Sequence, residues 1–456
     1  MKYSVITFGC RVNQSDSLGF EEQLVAAGAE PAPAERADLV VVNTCSVTAS
    51  ADQGARQTIR RIARINPRAR IVVTGCYATR QPDDVSSLPN VDQVVSNDDK
   101  PRLTQLIKLA GKSGLADAEP GALTTASRYG DGDGSCGAGI APGVAGRTAF
   151  TLRVQTGCAE PCSYCIIPET RGAPRSVPLP HLLNEVRRVR AAGFREIVLT
   201  GVHLGSYGRD FDHRSTLSNL LFALQDEACA QGTAGQLRFR ISSLEPMDCT
   251  REIVDLVSGS TCFAPHFHLP LQHASNRMLR AMRRPYDLDY YMRLVDRVRS
   301  QMPTASIGSD IIVGFPGETE EDFTELASYL ETSPLTHLHV FPYSDRPGTV
   351  ASRMGDRPDG AAVKERGTRL RQVGAALTRR FLESQAGTIH TGLTLEDGSL
   401  AMTGNYLKVR IPPGLSRNQW VQLRVTTVAP EVRGELLQEL TAVSAARASA
   451  DSPPWP

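Results

Sequence analysis

Three thiols stand close together in GCAEPCSYC (157–165): Cys158, Cys162 and Cys165, spaced C-x3-C-x2-C. No fourth cysteine follows nearby. Thiolates are soft metal ligands, so the loop reads first as a metal site. Structural zinc takes four N or S ligands in a closed tetrahedron. This loop has no histidine, and its spacing is not the paired C-x2-C of a zinc ribbon. Half of a zinc site is the alternative reading, and a lone redox C-x2-C would leave Cys158 unexplained. A 4Fe–4S cubane normally takes one thiolate per iron, so three thiols leave one iron open. A catalytic metal keeps such a position for its substrate. The missing ligand then marks a binding site.

A second trio is spread along the chain: Cys10 in FGC, Cys45 in NTC and Cys76 in TGC, each directly after an apolar run. In an open parallel sheet, ligand sites lie outside the carboxyl ends of the strands. Three thiols at that one topological position can converge on a second 4Fe–4S cluster, again with one iron open. The bland alternative is three buried cysteines, since free Cys is a common core residue. Gly9 and Gly75 precede two of them and let the backbone come close to a bulky group. Cys136, Cys229, Cys249 and Cys262 have no ligand spacing, and packing or simple exposure is expected of them.

These loops need strands to carry them. YSVITF, DLVVVN and RIVVTG alternate with helical stretches over residues 1–110, the pattern of a parallel α/β domain. Residues 111–147 are rich in Gly, Ala, Ser and Asp and read as a flexible linker. From 148 to 385 the alternation returns. FTLRVQT, REIVLTG, LRFRISS, HFHLPLQ, SIGSDIIVGF and LTHLHVFPY are its strands, six units rather than eight, so a partial (β/α)6 barrel is expected. Residues 361–385 form a basic helix. Residues 386–445 are turn-rich with short strands, as in a small antiparallel barrel, and 446–456 read as a disordered tail.

The chain has 456 residues with net charge +1, so length suggests about three domains and global charge does not point to nucleic acid. There is no signal-peptide pattern at MKYSVITFGC and no long apolar run, so a cytoplasmic protein with no membrane role is expected.

Taken together, FGCRVNQSDS, VVNTCSVTASAD, VVTGCYATRQP, VQTGCAEPCSYCIIPETRG, HFHLPLQHASNRMLRAMRR and DIIVGFPGETEEDF resemble the methylthiotransferases of the radical S-adenosylmethionine (SAM) superfamily. The resemblance implies an N-terminal cluster domain, a radical SAM barrel and a C-terminal TRAM domain. It implies that SAM binds the open iron at Cys158, Cys162 and Cys165, where one electron breaks the sulfonium C–S bond to give a 5′-deoxyadenosyl radical. The cluster at Cys10, Cys45 and Cys76 would hold and deliver sulfur, methylated by a second SAM. A radical route suits an aromatic C–H bond, which has no acidity that a side-chain base could use. Tyr164, Gly201, Gln272, Asp310 and Gly314 are the expected SAM contacts. Near the predicted barrel strand ends, His268, Gln272, His273 and Asp310 form one polar constellation, for SAM or substrate positioning or as satisfied core groups. GFPGET is expected to bring backbone amides close to SAM.

Family members act on adenosine 37 of tRNA, carrying either an isopentenyl or a threonylcarbamoyl group on N6, or on a ribosomal-protein aspartate. GCRVNQ, NTCSVT and GCYA resemble the branch that modifies N6-threonylcarbamoyladenosine, whereas other branches carry Pro-Lys-Asn after the first Gly-Cys or Gly-Cys-Met at the third cysteine. The implied partners are the tRNA anticodon loop, SAM, and sulfur and electron donors. Residues 51–70 hold six arginines and one acid, Asp52. Arg56, Arg60 and Arg64 recur on a face opposite Ile59, Ile62 and Ile65, either as a solvated face or as one that meets phosphates. Residues 387–442 are charge-neutral, unlike a strongly basic RNA module.

Overall fold

The computed structural model describes residues 1–107, 141–142, 148–229 and 237–440. Most of the expected linker, Cys136 in it, and the expected tail lie outside them. Among the described residues no helix is long and apolar enough to cross a membrane.

The N-terminal strands are β1 (Lys2–Thr7), β2 (Glu30–Pro31), β3 (Leu39–Thr44), β4 (Arg70–Gly75) and β5 (Val91–Val95). They form one parallel sheet in the order β2-β1-β3-β4-β5. Both faces of this sheet are covered, so β3 is buried at every residue, as parallel sheets require. The period-two alternation of a strand divides the work. Val40 and Val42 pack with Ile59 and Ile62 of helix Ala49–Ile65, while Leu39 and Val41 pack with Phe20 and Leu24 of helix Arg11–Ala26. Helix Ala49–Ile65 starts where the Thr48 hydroxyl accepts from the amide of Ala51, satisfying one of the free donors of a helix start. Ile65 does not join the apolar face. It ends the helix 43% exposed.

The second body contains β6 (Phe150–Arg153), a short hairpin of β7 (Gln155–Thr156) and β8 (Arg175–Ser176), then β9 (Glu196–Thr200), β10 (Arg238–Ile241), β11 (His266–His268), β12 (Ser306–Val313) and β13 (His337–Pro342). Two parallel three-stranded sheets, β6-β9-β10 and β11-β12-β13, are joined by single bridges between Phe239 and Phe263 and between Ser243 and His268. Among the described residues nothing pairs β13 with β6, so six strands make a partial barrel. One apolar core packs these strands against their helices.

The last strands, β14 (Ile389–Leu395), β15 (Leu400–Thr403), β16 (Lys408–Arg410), β17 (Trp420–Thr427) and β18 (Arg433–Leu440), close a small barrel that is antiparallel except where β16 meets β18. It is seated on the partial barrel by a buried charge cluster. Glu196 on β9 is within 2.6 Å of Arg238 and 3.1 Å of Arg240 on β10. The arginines' remaining donors reach the carbonyls of Met402, Thr403 and Gly404 in the closed barrel, and the Arg240 guanidinium lies 3.8 Å from the Tyr406 ring centre. Burial would raise the carboxyl pKa of Glu196, but the two guanidiniums bring it down to about 2.

Removing one partner of such a cluster leaves buried charge uncompensated, at a cost of about 3–5 kcal/mol. Glu196→Gln is therefore expected to lower the melting temperature by several degrees and to speed proteolysis between the two barrels. The carboxylate's folded pKa lies below its unfolded value. Its contribution is complete above about 4.3 and is lost as pH falls toward about 2. The gap between parent and variant should narrow over that window. A variant that melts with the parent at pH 7 would refute this role.

Candidate active site: two thiol trios across one seam

Cys10, Cys45 and Cys76 follow the carboxyl ends of β1, β3 and β4, which are neighbours in the sheet. Cys10 precedes helix Arg11–Ala26 and is exposed, while Cys45 and Cys76 are buried. Gly9 has φ +89°, and a Cβ there would lie 2.6 Å from the Cys45 sulfur. Gly75 has φ +99°, and a Cβ there would lie 2.2 Å from the Thr44 carbonyl oxygen. Only glycine lets these loops close on each other. Burial pushes the Cys45 thiol up to about 11, and the nearby Cys10 and Cys76 add to the shift.

Cys158, Cys162 and Cys165 are half-buried in the loop beyond β7. The Cys158 amide donates to the Gly172 carbonyl at 3.0 Å, and the Cys165 amide to that of Cys162 at 3.2 Å. Burial raises all three thiols, Cys158 to about 11 and Cys165 to about 12. The Arg284 guanidinium, 3.1 Å from the Cys162 sulfur and paired with Glu245, works against that rise at Cys162.

The two trios flank one packed helix pair. Cys76 opens helix Cys76–Arg80, and Cys165 lies just ahead of helix Ile167–Arg171, which packs against it. Arg171 at the end of the second helix reaches back across the seam. It bonds Asn13, lies 3.5 Å from the Asp16 carboxylate, and its charge acts on the Cys76 thiol. Asp16 also holds Lys100 at 2.6 Å and pairs with Arg153 of β6. Asn97 donates to the Thr170 carbonyl at 2.8 Å and lies 3.7 Å from the Cys76 sulfur. Burial would raise Cys76, but Arg171 and Lys100 hold it below the ordinary thiol range.

This donor set fits thiolate-ligated clusters. Cationic groups beside Cys76 and Cys162 favour anionic sulfur there, and hydrogen bonds to cluster sulfurs are a known means of tuning such centres. A single tetrahedral zinc at about 2.3 Å from each sulfur would hold its thiolates under about 4 Å apart. Among the described residues only His268, Asp310 and His339 gather their ligand atoms within 4.8 Å. Neither trio is drawn to single-ion spacing.

Of the other expected residues, Tyr164 packs edge-on against Phe315 at 6.4 Å. Gly201 sits just past β9, and a Cβ there would press on Leu204 and Gln155. Gln272 holds φ +69° with its backbone bonded to Asp310 and Ile312. His273 does not join the expected constellation. It is fully buried, its Nδ1 accepts from the Ser275 amide, and burial lowers it to about 4. The GFPGET amides are not offered outward either, because those of Gly314 and Phe315 donate to Glu318. Gly314 is required by packing, since a Cβ there would lie 2.5 Å from Val363. Arg60 and Arg64 are exposed, whereas Arg56 donates to the Tyr77 hydroxyl at 2.9 Å. The acid of that segment, Asp52, is buried between Arg80 and Arg346, each at 2.7 Å. Cys229 and Cys262, set aside for packing, have their sulfurs 3.6 Å apart. Sequence reasoning missed Arg171, Arg284, His337 and His339. The two histidines carried a usable signal, their period-two spacing in HLHVF.

The model of the Radical SAM superfamily matches residues 152–330, and that described as Uncharacterized protein family UPF0004 matches residues 2–96. A solved radical SAM methyltransferase, TsrM from Kitasatospora setae, superposes with a TM-score of 0.52 at 16% identity, covering 77% of each chain. It shares the fold. Threonylcarbamoyladenosine tRNA methylthiotransferase MtaB of Aquifex aeolicus is 34% identical over 420 residues, 90% of this chain and 96% of its own. The enzyme of the same name from Bacillus subtilis is 35% identical over 379 residues, 82% of this chain and 80% of its own. The partial barrel with its three-thiol loop is that of a radical SAM protein. Within that class, the chain belongs to the methylthiotransferase family, in the branch of these two relatives.

The burial pattern predicts unequal thiol reactivity. In iron-free protein Cys10 should alkylate quickly and Cys45 and Cys76 slowly, read by peptide mass analysis. Gly75→Ala, which forces Thr44 and the start of the Cys76 helix apart, should raise Cys76 labelling severalfold. Unchanged labelling would show that the close approach at Gly75 does not hold Cys76.

Proposed function

We propose that this protein inserts a methylthio group at carbon 2 of N6-threonylcarbamoyladenosine at tRNA position 37. The observation that carries this reading is the pair of thiol trios, one in a single loop and one at the ends of three neighbouring strands, brought to one seam. Cys158, Cys162 and Cys165 would hold the 4Fe–4S cluster that binds SAM, and Cys10, Cys45 and Cys76 the auxiliary 4Fe–4S cluster. When bound, these groups supply the electron, the radical and the sulfur. The protein's own part is to orient and shield them. Arg284 and Arg171 stabilise negative charge at Cys162 and Cys76. Tyr164, Gly201 and Gln272 border the place assigned to SAM. Gly314 serves there through the chain path it permits, and the Asp310 carboxylate is turned to His268 and His339.

The target base has to be unstacked to reach such a seam, as anticodon-loop bases are when proteins read them. Arg60 and Arg64 are the exposed cations assigned to the RNA backbone, with Arg56 shaping their face through Tyr77. The closed C-terminal barrel takes the place of a TRAM module. The division into 1–110, 148–385 and 386–445 follows the same reading, as do a cytoplasmic location and separate sulfur and electron donors.

Two measurements test this. Mass analysis of tRNA nucleosides from a deletion strain should show the methylthio derivative of threonylcarbamoyladenosine lost and the unmodified precursor accumulated. Unchanged levels would refute the substrate. The reconstituted protein should carry about eight irons per chain, and Cys158→Ala should abolish 5′-deoxyadenosine formation from SAM. A reproducible four irons, or SAM cleavage retained in the variant, would refute the cluster assignment.

A further inference from the structure

Four of the chain's nine histidines, His266, His268, His337 and His339, stand with Asp310 on one face of β11–β13. Strand alternation turns the intervening Ile307, Ile311 and Leu338 to the helices, so this face lines the hollow of the partial barrel. Room for it is made on purpose. A Cβ on Gly308 would lie 2.1 Å from the His337 ring.

Within the group, three ligand atoms converge. His268 Nε2 and His339 Nδ1 are each 3.1 Å from Asp310 Oδ1. All three atoms lie within 4.8 Å of one another. Atoms bound at about 2.1 Å to one ion stand roughly 3 Å apart. The angles matter as much as the distances. His268 Nε2 is buried and, despite its closeness to Asp310, has no hydrogen-bond partner in line. The other arm, His339 Nδ1 to Asp310 Oδ1, is a hydrogen bond, and an ion shared by the three ligand atoms would take its place. The far nitrogen of His268, Nδ1, lies 3.1 Å from Ser243 Oγ, the outer contact that fixes a ligating imidazole. His337 is held out of the set by Thr336, 3.0 Å from its Nδ1. The His339 side chain is 55% exposed, so solvent reaches the remaining side of the cluster.

We propose that His268, Asp310 and His339 form a mononuclear site for a divalent first-row transition metal inside the partial barrel, separate from both thiol trios. Two imidazoles and one carboxylate with open positions are a donor set for iron(II) or zinc(II). The open positions take oxygen donors, water in the free protein. The site stands on these residues alone and does not depend on the reaction proposed above.

Zinc ion is the probe. Holoenzyme carrying its full iron is dialysed against zinc, and zinc and iron are counted together by mass spectrometry, so displacement of iron from a thiol site is seen directly. About one zinc per chain is expected with iron unchanged. Asp310→Asn should lose it. His339→Ala, at a half-exposed position whose truncation leaves the core intact, should weaken binding at least tenfold. Ser243→Ala should weaken it about tenfold through the outer contact. Iron content and circular dichroism report whether each variant is folded. No zinc on the parent, or zinc held equally by folded His339→Ala and Asp310→Asn, overturns the proposal. SAM cleavage and the nucleoside product are scored separately, so failure of this site and failure of the methylthiotransferase reading are distinct outcomes.

Discussion

The molecule depends on one buried carboxylate. Asp16, on the first long helix, draws in Lys100 from its own domain and Arg153 and Arg171 from the partial barrel. Charges taken out of water are tolerated only when they are paired and hydrogen-bonded. Here Lys100 pairs Asp16 from its own side, while Arg153 and Arg171 come from across the domain boundary and reach this carboxylate only when the two domains are packed together. Arg171 ties the clamp to the chemistry, because the charge of the same guanidinium holds the Cys76 thiol down. The position of one trio is thereby fixed by a residue that follows the other trio in sequence.

The same device recurs at each junction. Asp52 takes Arg80 from its own domain and Arg346 from the loop after β13. Glu196 takes Arg238 and Arg240, whose other donors enter the closed barrel. Arg11, the residue after Cys10, reaches the Tyr406 hydroxyl at 2.7 Å, so the N-terminal domain touches the closed barrel directly. Apolar packing builds each core, and arginine with backbone carbonyls and single carboxylates sets how the cores meet.

Much of this was legible in the sequence where the cause is local. The strands before Cys10, Cys45 and Cys76 show as apolar runs, and a parallel sheet of any order leaves those cysteines along one edge. The six barrel strands show for the same reason. What could not be read was long-range. Nothing local tells that Arg171 faces Asp16, or that Asp52, seemingly one acid in a basic helix, is sealed under Arg346. His273 illustrates the limit from the other side. Its neighbour Gln272 takes φ +69°, which turns the chain, and the imidazole leaves the hollow for the core behind it. In GFPGET the partners were equally hidden: Glu318 within the motif accepts from the amides of Gly314 and Phe315, and the Gly317 amide donates to the Asp356 carbonyl.

The arginine junctions bear on how such a chain can change over time. A domain joined by a flexible tether can be swapped or lost with little harm. Here, cutting the chain at either boundary would strip buried guanidiniums of their carboxylate and carbonyl partners in the surviving piece. The parts are therefore committed to one another. Shuffling can trade this chain only as a whole, and drift at one face of a junction must be answered on the other.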